Sequence, residues 1–313
     1  MIVYFVDCVE NTYSQHNQYY KFIKKNRGTQ MLECKPIILL NNSCNFRCRH
    51  CYVANSTMET SIDVIKRFFE SVILPNNAKF LRFAGGEPFL YSHFHELALF
   101  LSTMREKGIE MNFTTNGSCI TESIIEDLKI IQPNMVKVSV LSLRPQKYRE
   151  IIGVDYQLDK TIDAVDRLMN FFTVGINMTI MKDTICDVVP LIDFCLDRGI
   201  KDLFFSQLTP AGRGFLIGDQ RLSTEDIERV HSIIDSVDKN KINIRYDDGC
   251  SCGFYSDFVL NWDGDVFPCS ALVSYPEFKI GNCDSDVAKM RERITELCEG
   301  KTKICFVENF VTY

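Results

Sequence analysis

The chain has no apolar run long enough to cross a bilayer: Ile2 to Val6 is interrupted at Asp7, and no later stretch approaches the ~18 residues of a spanning helix. It has no long run of Lys and Arg, and its net charge is −6, which argues against nucleic acid or an anionic membrane surface as the main partner. No basic n-region with a small-residue cleavage site opens it, and it contains neither a low-complexity tract nor a repeat beyond a strand–helix rhythm. Cysteine, by contrast, is abundant, 14 in 313 residues. Without a secretory leader that number does not point to a disulfide framework. The expected setting is reducing and cytoplasmic, with cysteines serving as metal ligands. Hydrophobic residues make up 46% of the chain, ample for a sizeable core in one large domain or two.

Three of the cysteines stand together. Cys44, Cys48 and Cys51 follow the apolar run Pro36 to Leu40, separated by three and then two residues. Thiolates on one short loop suit an iron–sulfur cluster or zinc, because soft sulfur ligands select these over magnesium or calcium. A closed structural zinc site wants four protein ligands, and no fourth Cys or ligand-spaced His follows in the next few dozen residues. His50 lies too close to Cys51 to point at the same metal. A cubane held by three thiolates keeps one iron open.

This C-x3-C-x2-C pattern, with His50 where an aromatic residue is usual, resembles the motif of the radical S-adenosylmethionine (SAM) enzymes. The resemblance implies that Cys44, Cys48 and Cys51 bind a [4Fe-4S] cluster whose open iron chelates the methionine amine and carboxylate of SAM. It further implies reductive cleavage of SAM and hydrogen abstraction from a substrate by the 5'-deoxyadenosyl radical. A second motif, Gly85-Gly86-Glu87-Pro88, follows the strand-like Phe80 to Phe83. Two glycines there let backbone approach a ligand, and Glu87 offers an acceptor at the carboxyl edge where such folds bind ligands. In the family the same sequence binds the SAM amino group. Thr114-Thr115-Asn116-Gly117 matches a further family position, which gives Asn116 a site-lining role beside its bland reading as an ordinary turn. Ser139 aligns with a family serine that contacts the SAM carboxylate, although Leu141 and Ser142 replace the Asp-Gly that usually follows. Arg144, just beyond, is either a carboxylate partner or solvated. Asn177, Gln207 and the loop Thr209 to Gly214 would face the mouth, where polar side chains need cofactor or backbone partners.

The rhythm itself predicts an α/β fold. Strand-like runs at Ile37–Leu40, Phe80–Phe83, Ile109–Thr114, Met135–Leu143, Val174–Met181 and Leu203–Leu208 alternate with helical stretches such as Ile62–Ile73, whose Ile62, Ile65, Phe68, Phe69 and Val72 share one face. Thr121 and the Ser223/Asp226 pair mark helix starts. Six units fall short of a closed eight-fold barrel. The family's open partial (β/α)6 TIM-type barrel fits the count. Residues 1–34 form an aromatic and basic N-terminal extension, 35–222 the radical SAM core, and 223–313 a smaller domain with a β-hairpin at Asp263-Gly264.

Cys252, eleven residues, Gly264, four residues and Cys269 resemble the SPASM/twitch extension, in which a hairpin carries ligands of an auxiliary [4Fe-4S] cluster. The full seven-cysteine set is absent, so one auxiliary cluster is expected. The resemblance points to Cys298 and Cys305 as its closing ligands, with Cys250 the rival and Cys283 also available. Cys8, Cys34, Cys119, Cys186 and Cys195 are expected to be structural. A zinc ribbon is the metal alternative. The expected protein is a radical SAM enzyme, an oxidoreductase or peptide-modifying maturase, that draws electrons from a donor such as flavodoxin or ferredoxin. Its substrate is expected to be a ribosomally made peptide that is cross-linked or epimerised. A small-molecule dehydrogenation or rearrangement and a non-enzymatic metal scaffold are the alternatives.

Overall fold

The computed structural model describes residues 36–53, 56–247 and 258–298. The apolar run after Pro36 forms β1 (Ile37–Leu39), and Ser61, whose hydroxyl accepts from the Val64 N–H, starts α1 (Ile62–Phe68). β2 (Phe80–Ala84), α2 (Phe94–Glu106), β3 (Glu110–Thr115), α3 (Glu122–Ile131), β4 (Met135–Ser139), α4 (Pro145–Ile152) and α5 (Leu158–Met169) follow. Then come β5 (Val174–Ile180), α6 (Val188–Arg198), β6 (Asp202–Gln207), α7 (Thr224–Asp235) and β7 (Asn243–Asp247). Three short strands, β8 (Val259–Leu260), β9 (Asp265–Phe267) and β10 (Gly281–Asn282), precede α8 (Val287–Cys298). The expected caps form: Thr121 accepts from Ile124 N–H, and Ser223 and Asp226 close a reciprocal box.

Among the described residues ten strands join one sheet in the order β10-β9-β8-β1-β2-β3-β4-β5-β6-β7. From β1 to β7 every neighbour is parallel, as helical crossovers require. This is the parallel α/β sheet of an open partial barrel, with a seventh parallel strand beyond the six expected. The β8–β9 hairpin turns at Gly264, with φ +80°, and β8 also pairs in parallel with β1, so it extends the barrel sheet from its first strand.

Side chains alternate across the sheet. Ile38, Leu81, Phe83, Met111, Phe113, Val136, Val138, Ile176, Met178, Leu203 and Phe205 are all at most 1% exposed and pack with the helices. Burial of this apolar face drives the fold. The opposite, inner face carries Arg82, Asn112, Thr114, Lys137, Ser139, Asn177, Thr179, Phe204, Ser206 and Arg245 in successive register rows. Most of these side chains are polar, in contrast to the apolar face under the helices.

Candidate functional site

The loop after β1 that carries Cys44, Cys48 and Cys51 is fixed from three sides through its main chain. From the end of α4, the Ile152 and Ile151 carbonyls accept from the Arg47 and Arg49 N–H groups at 2.8 and 2.9 Å. From the loop after β2, the Gly86 N–H donates to the Asn41 carbonyl at 2.9 Å and the Glu87 N–H to the Ser43 carbonyl at 2.8 Å. From the loop after β6, Arg213 donates its backbone N–H to Cys51 O at 2.9 Å and its Nε to Cys48 O at 2.8 Å. That last contact requires a chain without side chains on either flank: a Cβ on Gly212 would lie 2.7 Å from the Tyr52 carbonyl, and one on Gly214 2.4 Å from the Thr209 carbonyl.

Burial, with the charges of Glu87 and Cys51 adding to it, pushes the Cys44 thiol up to about 11. Cys48 moves further in the same direction, through burial and the two neighbouring thiolates, with Arg213 pulling against them. Thiols crowded so that the ionisation of Cys44 and Cys48 is disfavoured are a donor set suited to a polycationic group. Among the described residues no three Cys, His, Asp or Glu side chains gather around a single ion. A cubane does not require that, because each thiolate binds a different iron. The residues therefore fit a three-thiolate cluster. His50 is the least expected part of the loop: burial and the charges of Arg49 and Arg213 lower it to about 4, so its imidazole is neutral, and its Nδ1 has no hydrogen-bond partner among the described residues.

Glu87 is fully buried. Its Oε1 accepts from Thr115 Oγ1 at 2.7 Å and Phe89 N–H at 3.2 Å, and its Oε2 accepts from Asn116 N–H at 2.8 Å. The carboxylate thus ties the loop after β2 to the loop after β3. Asn116 continues the chain of contacts, donating Nδ2 to Asn45 Oδ1 at 3.0 Å and reaching Cys44 Sγ at 3.8 Å. Burial pushes Glu87 from 4.5 up to about 7, against the pull of its three donors. Between these pH values the folded protein keeps a proton that the unfolded chain has released. Its stability therefore falls as pH rises through the window, by at most about 3 kcal/mol. In Glu87→Gln that fall is absent, so the variant should gain about 3 kcal/mol on the parent between about pH 4.5 and 8 in denaturant unfolding. Parallel curves would show that Glu87 is ionised throughout.

The remaining expected residues divide. Ser139 and Asn177 pair in register on the inner face, in one row with Phe204 and Arg245. Gln207 falls in register with Ile180, on the face of Leu203 and Phe205, while Ser206 beside it shares the inner face with Thr179. Arg144 is held by Asp187 through bonds of 3.0 and 2.9 Å and is a structural ion pair. Cys195 is buried in α6, whereas Cys119 lies beside Ser118 and Asn45 next to the first loop. In the C-terminal part Cys269 acts electrostatically on Tyr52, which also senses Cys51 and bonds Ser270, so the hairpin segment abuts the first cysteine loop. Cys283 is buried behind the Gly264 turn. Cys250, Cys252 and Cys305 lie outside the described residues, as does residues 1–34, and Cys298 ends α8 with its side chain outside them. Asn45 and Asn41 are contributors that sequence reasoning missed, and for Arg213, within the expected loop Thr209 to Gly214, it gave no partner.

With this geometry in place, comparison with known proteins is decisive about the family: the Radical SAM superfamily matches residues 38–195, half of the chain, from β1 into α6. The chain belongs to the radical SAM superfamily. The chemistry of that superfamily is that of a [4Fe-4S] cluster and SAM. Fe-coproporphyrin III synthase of Methanosarcina barkeri is 28% identical over 216 residues, covering 64% of this chain and 51% of that protein. A probable GTP 3',8-cyclase of Sulfurisphaera tokodaii is 28% identical over 199 residues, 62% of each chain. This radical SAM chain thus spans between half and about three fifths of the length of these curated relatives. Among solved structures, Streptococcus suis SuiB bound to S-adenosylmethionine superposes with a TM-score of 0.67 at 18% identity, over 88% of this chain and 67% of that one. SuiB bound to its precursor peptide SuiA matches equally well, with a TM-score of 0.67. No helix among the described residues is long and apolar enough to cross a membrane.

Proposed function

We propose that this radical SAM enzyme modifies a ribosomally made peptide by hydrogen abstraction, the cluster held by Cys44, Cys48 and Cys51. With cluster and SAM bound, the site supplies a 5'-deoxyadenosyl radical at the mouth of the barrel. The chain's own residues hold and enclose these groups. Asn116 and the backbone of Gly85, Gly86 and Glu87 line the side next to Cys44, while Ser139 and Asn177 line the inner wall. The hairpin segment with Cys269, adjoining Tyr52, covers the substrate side, where an auxiliary [4Fe-4S] cluster completed by Cys252, Cys298 and Cys305 would sit. An electron donor such as flavodoxin or ferredoxin would reduce the first cluster.

The observation that carries the peptide reading is a likeness of fold to solved structures that hold a peptide. SuiB, which shares this fold, is a structure with a precursor peptide bound. The names of the sequence relatives, an iron-coproporphyrin synthase and GTP cyclases, favour a small-molecule substrate as the second reading.

The test uses anaerobically reconstituted, reduced protein. SAM alone should yield 5'-deoxyadenosine and methionine, and iron should approach about eight per chain with two clusters or about four with one. A short precursor peptide encoded beside the gene, deuterated at its Cα positions, should then accelerate turnover and pass its label to 5'-deoxyadenosine. SAM cleavage that never takes label from peptide would leave the small-molecule reading.

A further inference from the structure

Two cations on the inner face have no part in holding the cluster. Lys137 on β4 places its Nζ 3.8 Å from the centroid of the Phe204 ring, and Arg245 on β7 brings its guanidinium to 5.2 Å from the same centroid. Phe204 and Arg245 share the register row of Ser139 and Asn177, so both charges converge at the layer where the wall of the SAM site begins. Among the described residues neither cation has an ion pair. Asp202 is the one carboxylate that acts on Lys137, and it accepts from Asn243 Nδ2 at 2.9 Å. Burial, then the charges of Arg82 and Arg245, lower the Lys137 ammonium to about 8. One aromatic face compensates only a small part of that cost, since a cation–π contact contributes about 1–2 kcal/mol. A half-buried ammonium beside an exposed guanidinium, with no carboxylate in ion-pair contact with either among the described residues, is relieved by an anion that enters from outside.

We propose that Lys137 and Arg245, seated on Phe204, form a subsite for an oxyanion carried by the substrate, a carboxylate or a phosphoryl group. This rests on the reading of the barrel mouth as the substrate site and assigns a chemical class to what binds there. The anion would anchor the substrate one row inside the wall, leaving its reacting carbon at the mouth. For a peptide the anchor is an acidic side chain or the terminal carboxylate.

The test reads binding, not turnover, and so fails independently of the peptide reading. Holoenzyme saturated with SAM is titrated calorimetrically with malonate and with inorganic pyrophosphate. At least one should bind saturably, and which one does separates the carboxylate from the phosphoryl source. Lys137→Gln should weaken that binding by about tenfold or more, Lys137→Arg should restore most of it, and Lys107→Gln, an exposed lysine after α2, should change nothing. Arg245→Gln lies at an exposed position, folds irrespective of the core, and should itself lose at least about threefold. Absence of saturable binding by both probes overturns the proposal, as does unchanged binding in Arg245→Gln or Lys137→Gln. Competition between probe and SAM would place the methionine carboxylate at these cations and overturn it equally.

Discussion

A protein in which Cys44, Cys48 and Cys51 are all replaced by Ala is expected to produce 5'-deoxyadenosine at no more than background, while remaining folded. The chemical half of that expectation follows from the proposed donor set: three thiolates on one loop would be the ligands of the cluster, and alanine offers none. The structural half follows from how the loop is held. Its anchors to Ile151, Ile152, Gly86, Glu87 and Arg213 all use main-chain atoms of the loop, and none uses a cysteine sulfur. Loss of three sulfurs therefore leaves the shape of the loop intact, and far-ultraviolet circular dichroism and the unfolding midpoint should stay close to those of the apo parent. Iron remaining in the variant reports on the C-terminal cysteines. About four per chain would belong to an auxiliary cluster, and none would leave Cys269 and its partners without one. Undiminished 5'-deoxyadenosine from the triple variant would remove these three residues from the chemistry altogether.

Strands β1 to β6 are legible in the sequence because strands buried beneath helices are short, β-rich apolar runs, each followed by a helical period. β7 is not. Asn243-Ile244-Arg245-Tyr246-Asp247 is a half-exposed edge strand with only two apolar side chains, and its signal is tertiary, namely pairing with β6. The end of β4 shows the opposite error. Val140 and Leu141 are as apolar as the strand before them and fully or nearly buried, yet the chain leaves the sheet after Ser139 to reach α4. Burial alone does not distinguish a strand from a buried connection. α4 itself, begun by Pro145 and closed at Gly153 with φ +67°, carries start and stop signals that the longer strand assignment obscured.

In the site, legibility follows the same division. Motif residues are visible because their spacing is local: the three cysteines, the Gly-Gly-Glu-Pro turn and Asn116 all sit in loops at the carboxyl ends of strands. What spacing cannot show is who holds whom. Glu87, with an apparent ligand role at the carboxyl edge, spends both oxygens on Thr115, Asn116 and Phe89, and so joins two loops. Arg213 is 165 residues from the carbonyl it clamps. Gln207 and Ser206 differ by one position, and strand alternation turns the glutamine to the helix side while the serine faces inward.

Gly86→Ala is expected to cost about 3–5 kcal/mol and to lower SAM cleavage about a hundredfold, because of where a methyl group would lie. A Cβ at this position would be 2.1 Å from the Ser43 carbonyl oxygen and 2.5 Å from its carbon, with the Asn42 carbonyl carbon at 3.0 Å. All three are backbone atoms, so no rotamer change can make room. The two segments have to separate by more than an ångström, and they are laced together at this point: Gly86 N–H bonds Asn41 O, and Glu87 N–H bonds Ser43 O, on either side of the clash. Breaking that lacing frees the residue immediately before Cys44 and, through Glu87, the Asn116 contact with its sulfur. Cluster retention and activity should therefore fall together, with iron lost on gel filtration under anaerobic conditions. Gly218→Ala is the matched control. Its added Cβ would meet no atom within 4 Å, and its stability should stay within about 0.5 kcal/mol of the parent. A Gly86→Ala protein with the parent's unfolding midpoint and iron content would mean that the loops after β1 and β2 can part without loss, and that the cysteine loop takes its shape from α4 and Arg213 alone.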